Sequence, residues 1–129
     1  MTRNLSKSVS ASLEDYLEVI YEIINEKQGV KAIDISRKLG VGRSSVTDAL
    51  KVLASKNLVN YGRYDVISLT KEGERLAKGV IVKHSVLYDF FVNVLNLSSD
   101  EANENACRIE HVISEKAFKS FVDFMKENK

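Results

Sequence analysis

The spacing of apolar positions divides this chain into helices with one short β interruption. Leu13, Tyr16, Leu17, Ile20, Ile23 and Ile24 recur at three- and four-residue intervals, which predicts an amphipathic helix with Asp15, Glu18 and Glu22 on the opposite side. Ser12 is its expected N-cap, which would put Asp15 at the third helical position, and Gln28-Gly29 its expected end. A short helix over about 32–39 follows, stopped by Gly40-Val41-Gly42, and then a second over about 44–56. Ile35, Leu39, Val41, Val46, Leu50 and Leu53 are spaced to share a core across that tight turn, which is the sequence form of a helix-turn-helix. Segments 58–61 and 66–69 read as two short strands joined through Gly62-Arg63-Tyr64-Asp65, a hairpin in the position of a wing. Leu76, Val80, Leu87, Phe91 and Val94 then form the stripe of a long helix over about 71–95, with His84 on the stripe. Ser98 with Glu101 reads as a capping box opening a helix that runs to about residue 113. Phe118, Phe121, Val122 and Met125 predict a last amphipathic helix. The fold class expected is mainly α: an N-terminal winged helix-turn-helix over 1–72 and an all-helical domain over 73–129.

Composition changes this picture little, but charge changes it more. The chain has 129 residues, 44% of them apolar, and no apolar run approaches the ~20 residues that span a bilayer. Positions 1–10 carry charge without an apolar core, so no secretory signal is expected. A single cysteine excludes an intramolecular disulfide and fits a reducing, cytoplasmic setting. The net charge of +1 conceals an uneven distribution: positions 27–83 hold twelve basic and five acidic residues, a local +7, and each flank carries −3. A basic middle between acidic ends fits a polyanion-binding module joined to a part that attracts cations. Arg43, Ser44, Ser45 and Thr47 surround a helix N-terminus, where backbone N–H groups and the dipole already favour phosphate. With Lys31, Arg37 and Lys51, and with Arg63 at the wing tip, they are the expected DNA contacts; Lys38 adds to the basic surroundings. The competing structural roles are Ser44 as an N-cap, Arg43 as a solvated turn residue and a hairpin that only covers the core.

The run Cys107-Arg108-Ile109-Glu110-His111 packs a thiol, a carboxylate and an imidazole into five residues. On one continuous helix all three project within about 100° of arc, offering side chains that transition metals prefer. A buried free cysteine, a solvated Glu and an ordinary His would have the same sequence. Asp15 equally serves as a cap residue, Glu18 as a solvated carboxylate and His84 as a core histidine. A thiol enzyme is disfavoured, because Cys107 lies inside a helix and no oxyanion-forming Gly motif or phosphate loop appears.

Segment 12–21 (Ser-Leu-Glu-Asp-Tyr-Leu-Glu-Val-Ile-Tyr), the winged helix-turn-helix, the long-helix His84 and segment 106–114 (Ala-Cys-Arg-Ile-Glu-His-Val-Ile-Ser) occur in a specific order. Together they resemble the diphtheria-toxin-repressor and manganese-transport-regulator family of metal-activated transcription factors, from Ser12 onward. The resemblance implies metal ligands at Cys107, Glu110 and His111 from the iron-type branch, at Asp15 and Glu18 from the manganese-type branch, and at His84 from both. It also implies a C-terminal part that binds metal and dimerises, without the SH3-like domain of longer members. The chain departs from manganese-type members in having Cys107 where they have Glu. It departs from iron-type members at Asp15, where they have Met, and at Tyr88 and Asn103, where their second site has an acidic residue and a His. Carboxylates suit Mn²⁺ and a thiolate favours Fe²⁺, Co²⁺ or Zn²⁺. The expected effector is Fe²⁺, with Mn²⁺ close behind and Co²⁺, Ni²⁺ or Zn²⁺ able to substitute in vitro. One site of Asp15, Cys107, Glu110 and His111 is expected, and a second near Glu18 and His84 is left open. The implied function is a homodimeric repressor of metal-uptake genes on a palindromic operator in double-stranded DNA, with no membrane and no small-molecule substrate. The alternative is a metal-independent winged-helix regulator.

Overall fold

The structure is a computed structural model that describes residues 9–27, 29–62 and 66–128. Among them are six helices and one two-stranded sheet, in the order α1 (Ala11–Glu26), α2 (Ala32–Leu39), α3 (Arg43–Ser55), β1 (Val59–Tyr61), β2 (Ile67–Leu69), α4 (Lys71–Asn93), α5 (Ser99–Ile109) and α6 (Glu115–Glu127). The chain forms two compact units, Met1–Lys78 and Gly79–Lys129.

In the first unit, α1 begins two residues earlier than its sequence suggests. The Ser10 side chain accepts from the Leu13 backbone N–H at 3.2 Å, so Ser10 is the N-cap. Ser12 lies inside the helix, and Asp15 falls beyond the first turn and has no capping role. Val9, just ahead of the cap, packs against the core and fixes the point of entry. Leu17, Ile20, Ile35, Val46, Leu50 and Leu53 are fully buried, each contributing about 1.5–3 kcal/mol of transfer free energy. Ile24, expected on the apolar stripe, is exposed.

The turn after α2 depends on Gly40, whose φ of 68° lies in the left-handed region that a side chain disfavours. α3 then starts at Arg43 behind Gly42, which supplies no side-chain cap, so the N-cap role weighed for Ser44 is not realised. At the other end of α3, Asn57 takes φ 61°. Leu58 N–H donates to the Leu53 carbonyl at 2.9 Å and Asn57 N–H to that of Ala54 at 3.0 Å, closing the helix with the buried pair Leu53–Leu58. The strands pair antiparallel in the register Val59–Leu69, Asn60–Ser68 and Tyr61–Ile67, and Val30 bridges to Ile67. Arg63, assigned to the wing tip, lies outside the described residues. α4 starts directly under β2, where Gly73 meets the Leu58 carbonyl so closely that a Cβ would overlap it.

The second unit comprises α4 from Gly79, α5 and α6. Leu87, Phe91, Ala102 and Ala106 form its buried core, with Tyr88, Phe90, Ile109, Ile113 and Phe121 half-buried against it. Phe90 meets Phe121 and Phe124 of α6 edge-on, with centroids 4.8 and 5.7 Å apart. Ser98 caps α5 by accepting from Glu101 N–H at 3.2 Å, and Ser114 caps α6 by accepting from Ala117 N–H at 3.1 Å. Val94 and Leu95, expected to extend the α4 stripe, lie past the end of that helix and are exposed.

Candidate metal centre

The placement of the chemistry in the second unit begins with two alanines. Ala102 and Ala106 have no exposed surface and lie against Leu87 and Phe91, so α5 approaches α4 through a seam of minimal side chains. Asn103 and Cys107 each follow a seam alanine by one position, and with Glu110 they form the adjoining i, i+4, i+7 stripe. That stripe meets His84 of α4.

Glu110 is the centre of the arrangement. α5 ends at Ile109 and Glu110 is its C-cap, with its N–H donating to the Ala106 carbonyl at 2.9 Å. Val112 and Ile113 N–H both return to the Ile109 carbonyl, so the backbone turns here. The expected helix to residue 113, carrying all three donors on one arc, is therefore shorter: Cys107 is helical, Glu110 is the cap and His111 is in the turn. Glu110 is only 3% exposed. A carboxylate at that position faces the negative end of the helix dipole and has lost its water, two costs that demand positive charge or strong donors nearby. Two of its partners are imidazoles. His84 Nδ1 lies 2.7 Å from Glu110 Oε1, and His111 Nε2 lies 3.3 Å from Oε2. Cys107 Sγ is 3.7 Å from His84 Nδ1, with the thiol itself exposed.

One donor atom each from His84, Cys107 and Glu110 falls within 4.8 Å of the others. Donors shared by one transition-metal ion, at bond lengths of 2.0–2.3 Å, sit about 3–4.4 Å apart, so small side-chain adjustments would satisfy such an ion. The set of thiolate, imidazole and carboxylate fits a first-row divalent metal. The buried carboxylate supplies a need for positive charge that such an ion meets. His84, for which the sequence leaves open a second site with Glu18, contacts both Glu110 and Cys107. Asp15 and Glu18 are placed on α1 in the first unit, three residues apart and hence on one face.

The second partner of His84 is Asn103, whose Oδ1 lies 3.0 Å from Nε2. The sequence reading noted Asn103 only as a departure from a family pattern. Its i, i+4 spacing to Cys107 and its position beside Ala102 were the available signals. Tyr88, noted for the same reason, lies one turn from His84 with its ring nearly parallel at 6.3 Å, and its hydroxyl is 2.9 Å from Ser99 Oγ.

The residues expected to contact DNA form a separate group in the first unit. Arg43, Ser44 and Ser45 are exposed at the α3 N-terminus, and Thr47 is half-buried with its hydroxyl donating to the Arg43 carbonyl at 3.0 Å. Lys31, Arg37 and Lys51 are exposed, and none of them makes an ion pair among the described residues. Lys38 differs: its ammonium lies 2.8 Å from Glu26 and 3.9 Å from Glu22, and the Glu26 carboxylate pushes its pKa up. Lys27 lies 3.0 Å from Asp34 and holds that carboxyl below its ordinary range; Asp34 also accepts from Lys31 N–H at 3.0 Å. No helix among the described residues is long and apolar enough to cross a membrane.

Comparisons with known proteins agree with this division. Residues 8–67 match the profile described as "Iron dependent repressor, N-terminal DNA binding domain", and residues 70–129 match "Iron dependent repressor, metal binding and dimerisation domain". An uncharacterized HTH-type transcriptional regulator of Methanocaldococcus jannaschii is 36% identical over 122 residues, covering 94% of this chain and 98% of that protein. The transcriptional regulator MntR of Escherichia coli O6:H1 is 31% identical over 116 residues, covering 90% of this chain and 74% of MntR. Among solved structures, the manganese regulator SloR superposes with a TM-score of 0.79 at 30% identity, covering 98% of this chain. The chain spans about half of SloR, 55% of its length.

Proposed function

This chain belongs to the diphtheria-toxin-repressor and manganese-transport-regulator family of metal-dependent transcriptional regulators, and from that premise we propose that it represses transcription in response to a divalent cation. The carrying observation is the buried Glu110 carboxylate at a helix C-terminus, placed against two imidazoles and close to a thiol. His84, Cys107, Glu110 and His111 would hold the ion. When bound, it supplies the positive charge that offsets the buried carboxylate and a bond common to α4 and the end of α5. We assign Asp15 and Glu18 as further donors on residue type and family resemblance. α1 carries them and also packs on the helix-turn-helix, so a cation held in common couples metal binding to DNA binding, each strengthening the other.

The ion we favour is Fe²⁺, with Mn²⁺ second, because a thiolate joins the carboxylates. Co²⁺, Ni²⁺ and Zn²⁺ would substitute in vitro. The partner is double-stranded operator DNA, bound by a cytoplasmic homodimer through Lys31, Arg37, Arg43, Ser44, Ser45, Thr47, Lys51 and Arg63, with metal-uptake genes as targets. The exposed α3 N-terminus and the basic surface around it support this reading. Cys107 serves as a donor and not as an enzymatic nucleophile. The test is an anaerobic DNA-binding titration of the metal-stripped chain against Fe²⁺, Mn²⁺, Co²⁺ and Zn²⁺, with promoter DNA from its own genome. Affinity should rise at least tenfold with a cognate ion. Equal affinity with and without every ion would overturn the proposal and leave a metal-independent regulator.

A further inference from the structure

We infer that Asn103 is a positioning residue that selects which nitrogen of His84 faces the metal; this rests on the metal-centre reading above. His84 has a carboxylate oxygen 2.7 Å from Nδ1 and an amide oxygen 3.0 Å from Nε2. Cys107 Sγ also lies on the Nδ1 side, at 3.7 Å. The two ring nitrogens therefore face different chemistry. Nδ1 looks into the group of donors, and Nε2 looks along α5 toward a neutral amide. An amide oxygen can only accept, so Nε2 must carry the proton in this contact. An ionised Glu110 Oε1 likewise only accepts, so the metal-free ring donates from both nitrogens, and with Nε2–H retained by Asn103 it is the Nδ1 proton that a cation would displace. A metal-bound histidine ordinarily donates its other N–H to an outer acceptor that orients the ring, and Asn103 occupies that place.

The surroundings hold the contact in register. Asn103 and Cys107 are one turn apart on α5, so the acceptor and the thiol are fixed on the same rigid helix. Tyr88, one turn from His84, lies beside the imidazole, and its hydroxyl reaches Ser99 at the start of α5, so α4 and α5 are tied on both sides of the ring. A shallow polar groove lined by His84, Ser85, Tyr88, Ser99, Asp100 and Asn103 opens on the Nε2 side. With Nε2–H committed to Asn103, His84 gives that groove no metal-binding lone pair. His84 consequently serves one ion through Nδ1 and does not bridge to a second.

The experiment uses the full chain with ¹⁵N-labelled histidine, which carries only two imidazoles. In metal-free protein, the His84 Hε2 proton should exchange slowly with solvent. In Asn103→Leu it should exchange at least tenfold faster. The exposed Asn103 position on α5 tolerates Leu, a good helix former. Co²⁺ affinity should fall about 10–100-fold in Asn103→Leu, as for other outer-shell losses. Asn103→Asp, which keeps an acceptor, should restore it. Equal Hε2 exchange in native and Asn103→Leu proteins would overturn the inference, as would unchanged Co²⁺ affinity in Asn103→Leu. Failure of the native chain to bind Co²⁺, Mn²⁺ or Fe²⁺ would instead overturn the metal-centre reading, and the exchange measurement would still decide whether Asn103 holds His84.

Discussion

Replacing Glu110 with Gln tests the central electrostatic argument, because the substitution removes charge and leaves shape. The carboxylate is 3% exposed and has imidazole nitrogens 2.7 and 3.3 Å from its two oxygens, so Gln keeps the volume and one acceptor. In the metal-free chain this exchanges a buried charged pair for a neutral hydrogen bond, a change worth about 1 kcal/mol or less in either direction. With metal the effect is much larger. Outer-shell losses alone cost 10–100-fold in metal affinity, so loss of a charged ligand should cost at least about 100-fold. At Co²⁺ a hundredfold above the native Kd, binding stabilises the native fold by about 2.7 kcal/mol. The same concentration would stabilise Glu110→Gln by only ~0.4 kcal/mol. With a urea slope of about 2 kcal/mol/M, Co²⁺ should raise the native midpoint by about 1.3 M and the variant midpoint by about 0.2 M. Each protein serves as its own metal-free reference, so an altered basal stability does not obscure the result. A Glu110→Gln midpoint that moves as far with Co²⁺ as the native one would refute the reasoning.

Four further outcomes follow from other parts of the molecule. Arg43→Ala should weaken operator binding and reduce the slope of log affinity against log salt by about 0.9, measured between ~50 and 200 mM; an unchanged slope would remove Arg43 from the phosphate contacts. Cys107→Glu should shift the ratio of Mn²⁺ to Co²⁺ affinity toward Mn²⁺ by on the order of tenfold, since an oxygen donor replaces a soft sulfur; competition titration reads the ratio. The Asp34 carboxyl is held below its ordinary value of 3.8 by Lys27, so its contribution is complete above that value and is lost as pH falls through the lower folded value. Native stability should therefore drop more than that of Asp34→Asn on acidification below about pH 4 in urea titrations. Gly73→Ala would drive a methyl into the Leu58 carbonyl and should lower stability by about 2 kcal/mol or more, whereas Gly79→Ala, in the α4 interior with nothing within 4 Å, should raise it by about 0.5–1 kcal/mol; near-equal midpoints would contradict the close approach.

The elements that punctuation residues define were legible in the sequence. Gly40 accepts the left-handed turn that ends α2 at Leu39, and Ser98 caps α5 at the expected position. Helix ends set by competition were less legible. Ser10 and Ser12 can both cap α1, and the packing of Val9 on the core, a tertiary fact, decides for Ser10. Likewise Gly42 starts α3 without a side-chain cap, so no hydroxyl in the sequence marks a start at Arg43. For the metal centre, residue types and the family resemblance marked Cys107, Glu110 and His111, but local periodicity had no means of showing that α5 ends before Glu110. The link from Glu110 to His84 spans 26 positions and depends on the alanine seam, which reads in sequence only as good helix formers. The place of Asn103 is illegible in sequence for the same reason, because its meaning comes from the ring it meets.

In the centre proposed above, the stripe Asn103-Cys107-Glu110 would separate three properties that a metal sensor needs. Ala102 and Ala106 set the distance between α4 and α5, and hence how near Cys107 and Asn103 come to His84. Burial of Glu110 at the negative end of α5 sets the demand for a cation, independent of which cation arrives. In the proposed centre Cys107, exposed beside that carboxylate, would set how soft the preferred ion is. Because the three are carried by different residues on one rigid helix, affinity and metal preference can change one at a time. A Glu at position 107 would alter selectivity and leave the buried charge in place, whereas a neutral residue at position 110 would weaken the binding of every cation.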